Sequence, residues 1–159
     1  MTICNYIYAI IYSQYYSYEE MHNWINKKII ELEELPEWLL EISTTVTCNE
    51  ICNIMGNYLN DEHYNKYNKI SLADVILGYY YLRYSKEELQ LIDLLKISGE
   101  FADGTGLTTI ECEEFYDLLN KYENNKIKNI NETLQLVDKM YYDYMIAAKK
   151  QFHKFLNYK

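Results

Sequence analysis

Proline occurs once and glycine five times in a chain of 159 residues. So little turn punctuation excludes a sandwich or barrel of many short strands, whose hairpins depend on those residues. Arginine occurs once, at Arg83, and Asp and Glu outnumber Lys and Arg by 24 to 15, a formal net charge of −9. That sign is wrong for neutralising phosphates, so direct binding to nucleic acid or to an anionic membrane surface is disfavoured and a basic protein partner is favoured. No apolar run reaches the roughly 18–20 residues of a membrane-spanning helix. The opening MTICNYIYAIIYSQYY is apolar in part, but no Lys or Arg precedes it and Asn5 and several tyrosines interrupt it, which makes it a poor signal peptide. Cysteine is scarce too: Cys4, Cys48, Cys52 and Cys112 are too few and too irregularly spaced for a disulfide framework, and read as free thiols of a cytoplasmic protein.

Apolar residues make up 49% of the chain and charged residues 25%, an ordinary globular composition that excludes disorder. The length suits one domain, residues 1–159, with a core of its own. Tyrosine is abundant, with 19 residues. These read as a mixture of core and half-exposed rings, since the ring buries area while the hydroxyl stays wet. No internal repeat of 20–50 residues is present, so a solenoid is not indicated.

Helix starts are the strongest local signals. Ser17–Glu20, Ser71–Asp74, Ser85–Glu88 and Thr108–Glu111 each set a hydroxyl three residues before a carboxylate, the capping-box spacing that satisfies orphan N–H groups. From Ser17, the apolar residues Met21, Trp24, Ile25, Ile29 and Leu32 recur at three- and four-residue steps, one buried stripe of a helix. Pro36 breaks that helix and opens the next as its first residue, with Trp38, Leu39, Ile42 and Val46 inward. A further helix spans about Cys48–Asn60 with Ile51, Met55, Tyr58 and Leu59, and Asp61–Asn68 reads as a connector.

Helices over Ser71–Arg83 and Ser85–Ile97 follow, Gly99 serving as left-handed C-cap of the second. LQLIDLLKI at 89–97 is apolar almost all round, which marks that helix as central. Gly99–Leu107 reads as a glycine-rich loop. A helix from about Thr109 to Tyr122 carries Ile110, Phe115, Leu118 and Leu119 inward, Asn124–Asn129 is a loop, and a long last helix from Asn131 carries Leu134, Val137, Tyr141, Tyr144, Ala148, Phe152 and Phe155. Residues 2–12 lean to helix. The expected fold is an all-α, single-domain bundle of about six to eight helices.

Chemical motifs are sparse. In either register of an EF-hand over Gly99–Cys112, residues that cannot ligate calcium fall on ligand positions: Ala102 and Gly104 in one, Phe101 and Cys112 in the other. Gly104-Thr105-Gly106 has no P-loop lysine. Cys48 and Cys52, four apart on a helix, have His63 eleven residues on but no second close ligand pair to complete a zinc tetrahedron. His22, His63 and His153 are isolated in sequence. No cofactor, metal site or catalytic residue is assigned, and the chain reads as a non-enzyme.

Charge layout says more. Residues 1–125 carry a net charge of −13 and residues 126–159 a net charge of +4. From Glu31 through Glu62 there are eight carboxylates and no Lys or Arg; from Glu100 through Glu123 there are seven against Lys121 alone. Like charges so close repel unless a partner or counter-ion relieves them. Such a face raises the on-rate for a basic protein, and neighbouring aromatic anchors slow its release. The candidate partner-binding residues are Glu111, Glu113, Glu114 and Asp117, with Glu33, Glu34, Glu37 and Glu41 as a second patch.

The run Trp24–Leu32, followed by Leu35-Pro36-Glu37-Trp38-Leu39-Leu40-Glu41-Ile42-Ser43, resembles small bacterial immunity proteins that accompany polymorphic or contact-dependent toxins. In those, a tryptophan-bearing helix precedes a Pro-x-Trp-Leu motif; the usual doubled proline is the single Pro36 here. The resemblance covers about twenty residues and implies core roles for Trp38 and Leu39. It implies a cytoplasmic inhibitor that binds a cognate toxin domain, and a carboxylate face able to mimic phosphate makes a nuclease the natural target. A phage-encoded inhibitor of a host defence nuclease, a homo-oligomeric scaffold and an α-helical enzyme with an unrecognised pocket are the alternatives.

Overall fold

The computed structural model describes residues 1–59, 70–124 and 130–159, and all regular structure among them is helical. The helices are α1 (Ile3–Tyr12), α2 (Tyr18–Glu31), α3 (Glu37–Ser43), α4 (Cys48–Asn57), α5 (Leu72–Ser85), α6 (Leu91–Thr105), α7 (Cys112–Glu123) and α8 (Ile130–Leu156). The fold is all-α, as the helix-start signals and the shortage of Gly and Pro predict. The opening segment is helical too. The connector expected over Asp61–Asn68, with His63, lies outside the described residues, as do residues 125–129 of the expected loop.

Two compact units divide the chain, Met1–Asn65 with Lys149–Lys159, and Lys66–Ala148. In the first, α1 packs on α4 and α3 on both α2 and α4. Ile7, Ile10, Met21, Ile25, Leu39, Ile42, Ile51 and Met55 are buried there, each worth about 1.5–3 kcal/mol of hydrophobic stabilisation. Trp24 stacks on Phe155 with ring centroids 4.4 Å apart, and Trp38 lies 6.0 Å from Tyr158. Trp38 and Leu39 are thus core, as expected. Lys28 is buried beside them: its Nζ donates to Glu31 Oε2 at 2.8 Å and to the Tyr158 carbonyl at 2.5 Å.

In the second unit α5 is the buried helix, with every residue from Leu72 to Tyr80 buried. It, not the segment 89–97, is central: Ile92 is exposed while Leu91, Leu94 and Leu95 are buried, so α6 is amphipathic. Gly78 of α5 lets α8 approach closely, because a Cβ there would sit 2.1 Å from the Tyr144 carbonyl oxygen. Tyr141 of α8 is fully buried and donates to Ser98 Oγ of α6 at 2.6 Å.

The capping boxes at Ser17 and Ser71 form as expected, with Glu20 and Asp74 reaching back. Two further boxes, Thr2 with Asn5 and Thr47 with Glu50, start α1 and α4. Pro36 is the N-cap of α3, so that the helix starts at Glu37, one residue later than expected.

Four further expectations are overturned. Ser85 ends α5 and does not start a helix; the chain turns through Glu87 at a φ of 63°, and α6 begins after Gln90. The expected loop from Gly99 is helical to Thr105, because Leu94, Leu95, Ser98 and Ala102 continue one buried stripe; the left-handed cap is Gly106, at φ 59°. Gly99 lies within that helix against the ring of Tyr116. Thr108 caps nothing, and α7 starts at Cys112 after Glu111. Val46, expected inward, is 70% exposed in the turn between α3 and α4.

Candidate functional site

Among the described residues, α7 and α8 enclose a groove of about 390 Å³ in the second unit. Its apolar lining comes from Ile110, Leu118, Leu136 and Met140. Leu118 is buried, Ile110 and Met140 are half-buried, and Leu136 is 48% exposed on the rim. The polar lining is Glu114 and Asp117 from α7, then Lys121 further along that helix and Lys139 from α8. Residues 114, 117 and 121 are spaced three and four apart and so share one stripe of a helix. Phe115, one position beside them, turns inward and places α7 against Tyr141, with ring centroids 5.9 Å apart.

Two of the expected α7 carboxylates, Glu114 and Asp117, therefore meet on the groove. The other two do not line it. Glu111 is the exposed N-cap of α7 and makes no side-chain cap hydrogen bond. Glu113 lies in the first turn, where its own backbone N–H, and then the Cys112 thiol donating at 3.2 Å, hold its carboxyl below the usual range. In return the Glu113 carboxylate, with Asp103 nearby, pushes the Cys112 thiol up.

The second acidic patch belongs to the first unit. Glu33 and Glu34 are exposed in the bend after α2, and Glu37 is the exposed first residue of α3. Beside them Leu35 is 37% and Leu40 47% exposed. Glu41 is half-buried and accepts a hydrogen bond from the Tyr58 hydroxyl at 2.7 Å, which pushes the Tyr58 phenol up to about 12.

Among the described residues, few of these charges are neutralised by ion pairs. Among the described residues, the ion pairs join Lys27 and Lys28 to Glu31, and Arg83 and Lys86 to Glu88. None of the eight candidate carboxylates takes part in these, nor do Lys149, Lys150 and Lys154 at the basic end of α8. Across the groove, Glu114 and Asp117 come within 4 Å of neither Lys121 nor Lys139.

All four cysteines are free. Cys48 and Cys52 are half-buried on α4, and burial pushes the Cys52 thiol up to about 11. Among the described residues no group of three or more His, Cys, Asp or Glu could hold a metal ion, and no helix is long and apolar enough to cross a membrane.

Sequence reasoning missed the α8 wall. Its one signal is Leu136, an apolar residue out of phase with the buried stripe of Val137, Tyr141 and Tyr144. Lys139 carries no signal of its own, because its place beside α7 depends on how the helices pack. Comparison with protein-family models, with curated proteins and with solved structures gives no match to this chain.

Proposed function

We propose that this chain is a non-enzymatic inhibitor of the immunity type: it binds a basic toxin domain, such as a nuclease, and blocks it through a carboxylate-bearing face of α7. The observation that carries this reading is the pairing of Glu114 and Asp117, both outside any ion pair among the described residues, with the apolar lining of one groove. Exposed carboxylates steer a basic partner at long range, and apolar side chains supply the short-range contact that slows its release. Glu33, Glu34 and Glu37, with Leu35 and Leu40 beside them, offer the same combination in the first unit.

Capture on the immobilised chain from lysate of the native host at low salt, eluted by a salt step, tests it. The expected result is one basic protein, toxic when expressed alone and silenced by co-expression with this chain. Charge reversal at Glu114, as Glu114→Lys, slows its association and flattens the salt dependence while changing the off-rate little. Unchanged binding after reversals across both patches overturns the electrostatic reading.

A further inference from the structure

We propose that the residues after α8 form a strap that closes over Trp24 and Trp38 and opens by itself while the helices stay folded, with Lys28 of α2 as its catch. Tyr158 lies beyond the last residue of α8, in non-helical chain between the exposed Asn157 and Lys159. Its ring centroid is 6.4 Å from that of Trp24 and 6.0 Å from that of Trp38, so one side chain spans both tryptophans of the chain. With the ring in place each tryptophan is only 7% exposed. All of these residues belong to the first unit.

Little holds the strap down. Among the described residues, the Asn157 and Tyr158 backbone N–H groups donate back to the His153 and Phe155 carbonyls at the end of α8, and the one hydrogen bond that reaches another element runs from Lys28 Nζ to the Tyr158 carbonyl at 2.5 Å. Lifting the strap costs Lys28 no counter-charge, because the same ammonium donates to Glu31 Oε2 at 2.8 Å. Opening therefore breaks one charge-assisted bond and no ion pair. The closed state also carries a cost: the Trp24 indole N–H is buried without a hydrogen-bond partner, and water admitted under the open strap relieves it. A segment with so few tertiary contacts, exposed on either side of its one anchor, sits at the low end of local stability. The strap thereby gates an aromatic surface. Trp38 follows the exposed Glu37 at the start of α3, and the two tryptophans meet solvent fully only in the open state.

The test reads the tryptophans directly, in the full chain. Hydrogen exchange in low urea follows the Trp24 indole N–H beside the backbone amides of the fully buried residues Ile25 and Leu39. The indole proton is expected to exchange through an opening that urea hardly accelerates, well ahead of those amides. Lys28→Met keeps the apolar stem and removes the donor. It should speed indole exchange about tenfold, the effect of losing one charge-assisted bond, and raise acrylamide quenching of tryptophan fluorescence several-fold with the helical circular dichroism intact. Tyr158→Ala should act in the same direction. An indole proton that exchanges only together with the Ile25 and Leu39 amides, in one urea-dependent unfolding, overturns the proposal, and it does so on the parent chain even where a variant fails to fold. Indole exchange and quenching unchanged by both variants overturn it as well.

Discussion

Asp74 and Thr109 are 35 residues apart in sequence and joined by two hydrogen bonds. The Thr109 backbone N–H donates to Asp74 Oδ1 at 2.7 Å and its hydroxyl to Oδ2 at 2.9 Å. The same carboxylate accepts from the Ser71 backbone N–H at 2.8 Å, closing the capping box of α5. Asp74 is fully buried, so one carboxylate both starts the central helix and anchors the strap that leads from α6 into α7. The groove carboxylates Glu114 and Asp117 follow that anchor within a few residues.

Removing this buried acceptor takes away the protein partner of the donors on half-buried Ser71 and exposed Thr109. Asp74→Ala is expected to destabilise the chain by about 2–4 kcal/mol, combining a lost cap with lost hydrogen bonds. Thr109→Ala, which keeps the backbone bond, should cost about 1 kcal/mol. In urea unfolding, the double variant should fall short of the sum of the two, because both act on one network; strict additivity would show the contact to be energetically idle.

The two glycines Gly78 and Gly104 should respond to alanine in opposite directions. At Gly78 the added Cβ would sit 2.1 Å from the Tyr144 carbonyl, and backbone cannot give way cheaply. Gly78→Ala should cost about 1–3 kcal/mol or more. At Gly104, inside α6, nothing lies within 4 Å of the new methyl. There the substitution should stabilise by about 0.5–1 kcal/mol, through the helix preference of alanine. Thermal unfolding of both variants checks the pair.

Alkaline pH should unfold the protein through its tyrosines. Tyr58 is raised from 10.0 to about 12, first by the hydrogen bond it donates to Glu41. Tyr81 is raised to about 12 by burial and then by the bond it donates to Asp138, and Tyr144 to about 12 by burial and then the Asp74 charge. A phenol whose folded value exceeds its unfolded one favours folding below the unfolded value and loses that stabilisation as pH climbs to the folded one. Stability should therefore hold up to about pH 10 and fall between about 10 and 12. Tyrosinate absorbance followed together with circular dichroism reads this. Glu41→Gln should bring Tyr58 ionisation to lower pH.

Cys112 should be a slow thiol for an accessible one. It donates to Glu113 at 3.2 Å, and that carboxylate raises its pKa, which lowers the thiolate fraction at neutral pH. Glu113→Gln should speed alkylation of Cys112 several-fold, read by mass spectrometry of labelled peptides. An unchanged rate would mean that access, not charge, limits the reaction.

Short-range chemistry was legible in the sequence alone. The all-α class, the starts of α2 and α5, the helical course of α8 and the buried tryptophans follow from hydroxyl-to-carboxylate spacing and three-to-four apolar periodicity. Both act within a turn or two of helix and need no knowledge of the rest of the chain. The clustering of carboxylates over residues 100–123 was equally visible, since charge is carried by the residues themselves. Tertiary structure decided the rest. Thr108–Glu111 has a capping spacing, yet Thr109 is drawn to Asp74, and α7 starts later at Cys112. Gly99 looks like a helix end, yet Tyr116 packs on it in mid-helix. Of four carboxylates in one short segment, only Glu114 and Asp117 border the groove, because the second wall is α8. These outcomes turn on contacts between residues distant in sequence, whose energies exceed local preference and leave no local trace.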